Sequence, residues 1–463
     1  MGKGKLGSFQ AVLVLVMMLA LIAAGCSNGN NGDTGTSGSA AENKDNATAG
    51  SESGAAADDE PVELRLLTRW SGTDSNAPIW KAAQEEYTKM HPNVKFIDES
   101  VNEEAAYNSK FKTDLATGNL PAIFGVNGKL LAVEYAKTGL LMDFGQAFRD
   151  DPEWLASLNE SAVNEMKFDG YGVSGYYGIP VATAIEVFFY NKELFEKAGI
   201  AGPPETYAQL LEAIDKLKAA GTIPWGVGAK DTWRAGHVHN AHLYKLAGVQ
   251  KAIDIGQRKA KWTDPEVVKS LQMVLDLKNR GAFEQNFEGI DYEMEKTNFL
   301  TGKYGMIYNG TWFIADAANS DMKDKVGMFL FPTMEEHPEY AGDNVAFPQT
   351  IQASAKLSDA QKKHVVGFLK MYTSKEFQER MAYETKNLPV NVNVELDKAQ
   401  TGDLFFAANN LTAQVKVPGQ DTFGYDPLAS MQDRSRNSII GMLLGNSPEE
   451  AAKEIQDEID KNS

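Results

Sequence analysis

Hydrophobic positions along this chain switch repeatedly between strand-like and helix-like spacing. Val62 to Arg69 (VELRLLTR) reads as a first strand and Val94 to Ile97 as a second. Between them Pro78 opens a helix with Ile79, Ala82, Ala83, Tyr87 and Met90 on one face, and His91-Pro92 stops it. Phe111 to Thr117 reads as helix up to Gly118, Leu120 to Asn127 as a third strand, and Leu130 to Lys137 as a helix. The densest signal runs from Gly175 to Gly221. There the apolar run Ile185 to Tyr190 reads as a buried strand, and Asn191 caps a short helix that ends at Gly199. Pro203 and Pro204 interrupt the chain. Thr206 and Gln209 then form a capping box for a helix with Leu210, Leu211, Ile214 and Leu217 on one face, closed by Gly221.

Further on, Trp225 to Val227 reads as a strand, followed by a loop carrying Trp233 and Arg234 and a helix around His239 to Leu246. Pro265 starts a longer helix, Phe299 to Gly302 closes another, and Tyr304 to Tyr308 is a strand running into Asn309-Gly310-Thr311-Trp312. Val326 to Phe331 is the next strand. Capping boxes at Ser358/Gln361 and Ser447/Glu450 start two more helices, with a turn at Leu388-Pro389-Val390 between them. Strands alternating with helices in this way predict an α/β fold with a mostly parallel sheet covered on both faces. Ligands of such sheets collect beyond the carboxyl ends of strands, which makes Trp70 to Asp74 and Asn127 candidate contacts.

The amino terminus follows another pattern. Lys3 and Lys5 precede an apolar run from Ala11 to Ala24, 14 residues long, short of the ~20 a membrane-crossing helix needs. That is a secretory signal, residues 1–25. It ends Leu21-Ile22-Ala23-Ala24-Gly25-Cys26, which resembles the bacterial lipobox, with Ala23 where Leu is preferred. Cys26 is the single cysteine of the chain, so lipidation there is the expectation and intrachain disulfides are excluded. Ser27 to Glu60 contains no aromatic residue and no Val, Ile, Leu or Met, so residues 26–60 read as a flexible tether. It would reach roughly 30 Å.

With 463 residues, 43% hydrophobic and 23% charged, the chain is long enough for about two domains of ordinary globular composition. No repeat or internal linker divides residues 61–463. The lobes are therefore expected to be interleaved, with the chain crossing between them more than once. Net charge is −18, and −20 once residues 1–25 are removed. A body this acidic argues against nucleic acid and against an anion held by bulk charge.

Several segments carry a family likeness in their order. Phe111 to Phe124 (FKTDLATGNLPAIF), Tyr177-Gly178-Ile179-Pro180 with Tyr190-Asn191-Lys192, Lys197-Ala198-Gly199 with Pro203 to Gln209, and Phe299 to Trp312 (FLTGKYGMIYNGTW) resemble landmarks of type I extracellular solute-binding proteins of ABC importers. This broad group includes the maltose-binding protein. Ala122 stands where the family pattern has Asp, and Tyr207 where it has Trp. The resemblance spans essentially all of 61–463. It implies a two-lobed periplasmic-binding-protein fold of type II, with interleaved lobes, hinge strands and a sugar-sized cleft. Lobe 1 would take approximately 61–180 and part of 315–380; lobe 2 would take approximately 185–312 and the C-terminal segment. Gly175 to Gly221 would carry the chain from one lobe to the other. The resemblance further implies a monomer on the extracellular face of a bacterial, Gram-positive membrane, held by lipid at Cys26 and delivering a captured carbohydrate to membrane permease subunits. No cofactor is expected.

Sugars present C–H faces to aromatic rings and hydroxyls to polar side chains. Candidate contacts are Trp70 and Asp74 on the first strand-end loop, Asn127 on the third, and Trp233 and Arg234 at a helix entry. Trp312 falls where the family places a ring under the sugar, and Phe423 falls near another aromatic position of the family. Glu186, on the hinge strand, either faces the cleft or pairs within the hinge. Each ring has a structural alternative as core, and Asp74 and Arg234 as a solvated or paired charge. Trp80, Trp154, Trp225 and Trp262 are assigned to structure.

Two rival readings use other residues. His237-Val238-His239-Asn240-Ala241-His242 suggests a metal, with His239 and His242 on one helix face, but no further ligands accompany it. Histidines on a helix surface near a cleft are the plainer account, so no metal is assigned. A surface glycosidase needs two carboxylates flanking the bond, and 63 acidic residues make such candidates uninformative. The chain lacks G-x-S-x-G and H-E-x-x-H signatures, and no enzymatic activity is assigned.

Overall fold

Nine strands among the described residues carry the fold: β1 (Val62–Leu67), β2 (Val94–Asp98), β3 (Ile123–Phe124), β4 (Ile179–Asn191), β5 (Ile223–Gly226), β6 (Tyr304–Gly310), β7 (Val326–Phe329), β8 (Asp343–Ala353) and β9 (Val417–Gly419). The structure, a computed structural model, describes residues 60–462 other than 127 and 170. The expected leader, Cys26, the tether up to residue 59, and Asn127 lie outside the described residues.

The strand order is β2-β1-β3-β8-β4-β6-β5, with β7 also on β4 and β9 also on β8. β1 runs parallel to β2 and β3, and β5 parallel to β6. The centre differs from the expected mostly parallel sheet. β8 is antiparallel to β3, and β4 is antiparallel to β8, β6 and β7. Hydrophobic period identifies a strand but not its partner, and these long strands join sheets rather than continue a βα series.

β4 divides its pairing at one residue. Ile179 to Ile185 pair with Ile351 to Ala346 of β8, and Glu186 to Tyr190 pair with Gly310 to Met306 of β6. Two cores result. In the first, Leu64 and Leu66 of β1 pack with Trp80 of the helix Ala77–Met90 and with Phe368 and Tyr372 of the helix Asp359–Tyr372. In the second, Phe188 packs with Leu210, Ile214 and Leu217 of Tyr207–Ala219 and with Leu271, Val274 and Leu277 of Pro265–Arg280. β4 supplies Ile179 and Val181 to the first core and Phe188 to the second, so it belongs to both.

The local end signals operate as the sequence predicts. Asn191 accepts from the backbone N–H of Glu193 and Leu194, and capping boxes form at Thr206/Gln209, Ser358/Gln361 and Ser447/Glu450. Trp80, Trp154, Trp225 and Trp262 are buried. Of the stretches that differ, two bear on the cavity. The expected loop at Trp233 and Arg234 is the first turn of a 24-residue helix, Trp233–Gly256, kinked at Gly248. That helix is buried on nearly every side, so it lacks the amphipathic stripe by which surface helices are read. β8 went unread because its middle residues, 346–350, are only half-buried and include Pro348.

Phe188 is the anchor of the second core. Its ring lies 4.6 Å from Trp225, 4.8 Å from Phe329 and 5.2 Å from Tyr308. Phe188→Ala should cost about 3–5 kcal/mol of stability, read as a lower midpoint in guanidinium unfolding. A loss below about 1 kcal/mol would mean that the site collapses around the void.

Candidate functional site

Where β4 and β8 pass between the two cores lies a cavity of about 750 Å³. Residues 183–185 and 346–352 of the crossing strands form part of its lining, with Trp70 and Ile351 from beside the first core and Trp312 and Phe423 from beyond it. Of the eight contact residues expected from sequence, Trp70, Asp74, Trp233, Trp312 and Phe423 line this cavity. Glu186 and Arg234 do not, and Asn127 lies outside the described residues.

Each ring is held from behind. Trp70, half-buried, meets Trp80 edge-on at 5.1 Å and stacks on Tyr372 at 6.2 Å. The Trp312 indole N–H donates to Tyr292 Oη at 2.9 Å. The Trp312 ring also folds back over its own strand: a Cβ on Gly310 would stand 2.0 Å from it. Only a residue without a side chain leaves that ring in place. Trp233 meets Tyr292 edge-on at 4.9 Å and lies 6.3 Å from Trp312. Phe423 sits in the short turn Thr422–Tyr425, with the Arg436 guanidinium 4.8 Å over its ring.

Asp74 adds an acceptor near Trp70. Its Oδ1 takes the Asn76 backbone N–H at 2.8 Å. Enclosure pushes its pKa up to about 6, against the smaller opposing effects of that hydrogen bond and of the Arg69 and Lys296 charges.

Arg234 points away from the cavity, correcting its place among the hydroxyl-binding candidates. Buried to 2% exposure, it donates to both Glu295 carboxylate oxygens, from Nε at 3.0 Å and from a terminal nitrogen at 2.7 Å, and also to the Tyr308 carbonyl. Its guanidinium supports the Trp233 ring at 4.5 Å. Glu186 resolves its two alternatives in favour of pairing. It is fully buried where β4 changes partners, with its carboxylate against His237 Nδ1.

The histidines bind no common point. His239 Nε2 bonds Ser270 Oγ at 3.0 Å beside Trp262, and His242 bonds the Val238 carbonyl at 2.7 Å and Tyr207 Oη at 3.2 Å. Both are fully buried in the helix interior, not on its surface, and burial lowers their pKa to about 3 and about 4. Among the described residues no group of three or more His, Cys, Asp or Glu is placed to hold a metal ion.

His237 does reach the cavity, and sequence reasoning placed it only in the metal reading. Burial alone would lower its pKa, but the carboxylates of Asp421 and Glu186 outweigh that and hold it at about 9, so it is charged at neutral pH. Asp421 is held well below the usual carboxylate range: burial would raise it, and His237 and Arg436 prevail. Asn240 Nδ2 also donates to it, at 2.5 Å. Glu104, Tyr292, Asp421 and Arg436 also line it and were missed. Asp421 stands two residues before Phe423, a signal that could have been followed; Arg436 on an ordinary helical stretch carries none.

Comparisons with known proteins agree with this architecture. The family described as "Bacterial extracellular solute-binding protein" matches residues 70–379. The chain is 23% identical over 264 residues to a multiple sugar-binding protein of Streptococcus mutans, covering 55% of this chain and 58% of that one. It is 25% identical over 301 residues to the sn-glycerol-3-phosphate-binding periplasmic protein UgpB of Rhizobium meliloti, covering 60% and 63%. The chain thus spans about three-fifths of the length of these curated relatives. Among solved structures, a chitin oligosaccharide binding protein superposes with a TM-score of 0.79 at 26% identity, over 87% of this chain and 98% of its own. The fold is accordingly the two-lobed type II periplasmic-binding-protein fold. With a match over most of its length and this architecture, the chain belongs to the bacterial extracellular solute-binding protein family.

Proposed function

We propose that this protein is a lipid-anchored extracellular receptor that captures a sugar, an oligosaccharide by the number of rings available, and delivers it to the permease of an ABC importer. The observation that carries the sugar reading is the set of supported rings on one cavity. Trp70, Trp233 and Trp312 line it together with Asp74, a hydroxyl acceptor. Two names point the same way, a multiple sugar-binding protein and a chitin oligosaccharide binding protein, while UgpB is named for sn-glycerol 3-phosphate. Charge in the cavity favours a neutral ligand over a phosphorylated one. Lys129 faces Glu165 at 3.4 Å, Arg436 faces Glu104 at 2.8 Å, and His237 faces Asp421 at 3.1 Å. Arg69 gives Nε and one terminal nitrogen to the Asn102 carbonyl at 3.1 and 2.9 Å. To reach Lys129, Arg436 or His237 a phosphate would have to break an ion pair.

In this reading lobe 1 is centred on residues 61–180 and lobe 2 on 185–312, and they close on the ligand about β4 and β8. Cys26 carries the lipid, the tether lets the receptor reach its permease, and it works as a monomer without cofactor or catalysis.

A thermal-shift screen with malto-, xylo- and chitin-oligosaccharides, single sugars and sn-glycerol 3-phosphate tests the ligand class. A sugar at a hundred times its Kd should stabilise the fold by about 2.7 kcal/mol. A shift with sn-glycerol 3-phosphate alone would overturn the sugar reading. With the responding sugar, Trp312→Ala should cost about 2 kcal/mol or more, roughly thirtyfold in Kd by calorimetry. Unchanged affinity would make Trp312 a core residue. Gly310→Ala should weaken the same sugar without removing any contact atom, because the new methyl occupies the place of the Trp312 ring. A wild-type near-ultraviolet dichroism spectrum and wild-type Kd would show that the ring is not displaced.

Asp74 gives the binding a pH dependence. Protonation removes its charge, so affinity should be full above about pH 6 and fall as pH drops through that value. Asp74→Asn should flatten the profile between pH 5 and 7.5. A profile that keeps its slope in that variant would assign the titration to another group.

A further inference from the structure

Two helices from opposite sides of the cavity meet at one rim. Glu104 opens the helix Glu104–Ala116, whose Tyr107 and Phe111 pack with Leu67 of β1 and Phe124 of β3. Arg436 lies on the helix Met431–Leu444, whose Ile439, Met442 and Leu443 pack with Phe188 and Trp225 in the second core. Arg436 donates from one terminal nitrogen to Glu104 Oε1 at 2.8 Å and from the other to Asp421 Oδ2 at 3.1 Å. Glu104 is 8% exposed and Arg436 6%, so this contact between the two sides is made largely out of water. Gln432 Nε2 adds a bond to Glu104 at 3.3 Å, and Lys112 meets Asp433 at 3.0 Å on the exposed outer edge.

The contact continues inward. Asp421 is shared between Arg436 and His237, and His237 lies against Glu186, where β4 leaves the first sheet for the second. One line of side chains therefore joins the far rim of the cavity to the strand that crosses between the cores.

We propose that Glu104 and Arg436 form a latch holding the two sides of the cavity together, and that Asp421, His237 and Glu186 tie the latch to the crossing strand. This rests on the reading of the cavity as a cleft that opens and closes. Separation of the sides leaves both partners viable: Glu104 becomes hydrated, and Arg436 keeps Asp421. The Coulombic gain of closing is offset by the desolvation of two charges. The latch is therefore near balance. It holds the sides in register without locking them, and a ligand that favours the closed form decides the equilibrium.

The test needs no sugar, so its failure and the failure of the sugar reading are separate results. Glu104→Gln in the full chain keeps the shape and removes the charge. Small-angle X-ray scattering should give a larger radius of gyration than wild type. Amide exchange in residues 103–108 and 420–436 should quicken about tenfold, while β1 and the helix Pro265–Arg280 keep their protection. Wild-type scattering and exchange would overturn the latch. So would exchange accelerated equally through both cores, which is plain destabilisation. Lys112→Gln, at the exposed pair, should change neither quantity; an effect as large as that of Glu104→Gln would assign closure to rim charge in general. If Glu104→Gln fails to fold, Arg436→Lys, which keeps the charge and loses the fork, is read by the same two measurements.

Discussion

Strand β4 has to satisfy two sheets at once, and the arrangement of the cavity follows from that. Over thirteen residues it exchanges β8 for β6 as its partner while remaining buried on nearly every position. A strand buried on both faces needs apolar side chains, which is what its Ile, Val, Ala and Phe content supplies. Glu186 is the one charged residue of the strand, placed where the partner changes. A carboxylate fully out of water is tolerated only beside a cation, and His237 provides one because Asp421 holds it charged from the other side. The crossing point of the chain and the floor of the cavity thus share one electrostatic solution.

Binding surfaces made of rings depend on what stands behind the rings. Tyr292 supports Trp312 through a hydrogen bond and Trp233 through an edge contact, and Arg234 supports Trp233 from its own buried pair with Glu295. Gly310 contributes by having no side chain. None of these supports needs to touch a ligand, yet each determines where an aromatic face is presented. Rigid rings lose little entropy on binding, and that is the physical advantage of fixing them beforehand.

Three of the cations that line the cavity act in pairs. Lys129, His237 and Arg436 each meet an acid, whereas Arg69 bonds the Asn102 carbonyl and Lys416 the Ala413 carbonyl. The same pairing lets one acid, Glu104, connect helices from different cores. Recognition of a neutral ligand and closure of the two sides draw on the same few residues.

Much of this protein is written locally. Strands, capped helix starts and the break at Pro203-Pro204 follow from spacing and from side chains that bond their own backbone within three residues, so they survive whatever the chain packs against. Trp70, Trp312 and Asp74 were legible as cavity residues because strand ends and a Gly-x-Trp step place them by short-range geometry. What depends on distant partners was not legible. β8 lacks a clean alternation because its middle lines a cavity, and the helix Trp233–Gly256 lacks a polar face because other elements enclose it. Arg234 reads as a surface or ligand residue until Glu295, 61 positions away, is brought to it. Glu104 and Arg436, separated by 332 positions, carry no mark of each other in the chain. The elements and the kind of chemistry available to them follow from the chain's local pattern. Which charges are paired and which rings line the cavity follows from tertiary contacts, because burial and electrostatic pairing are properties of neighbours in space.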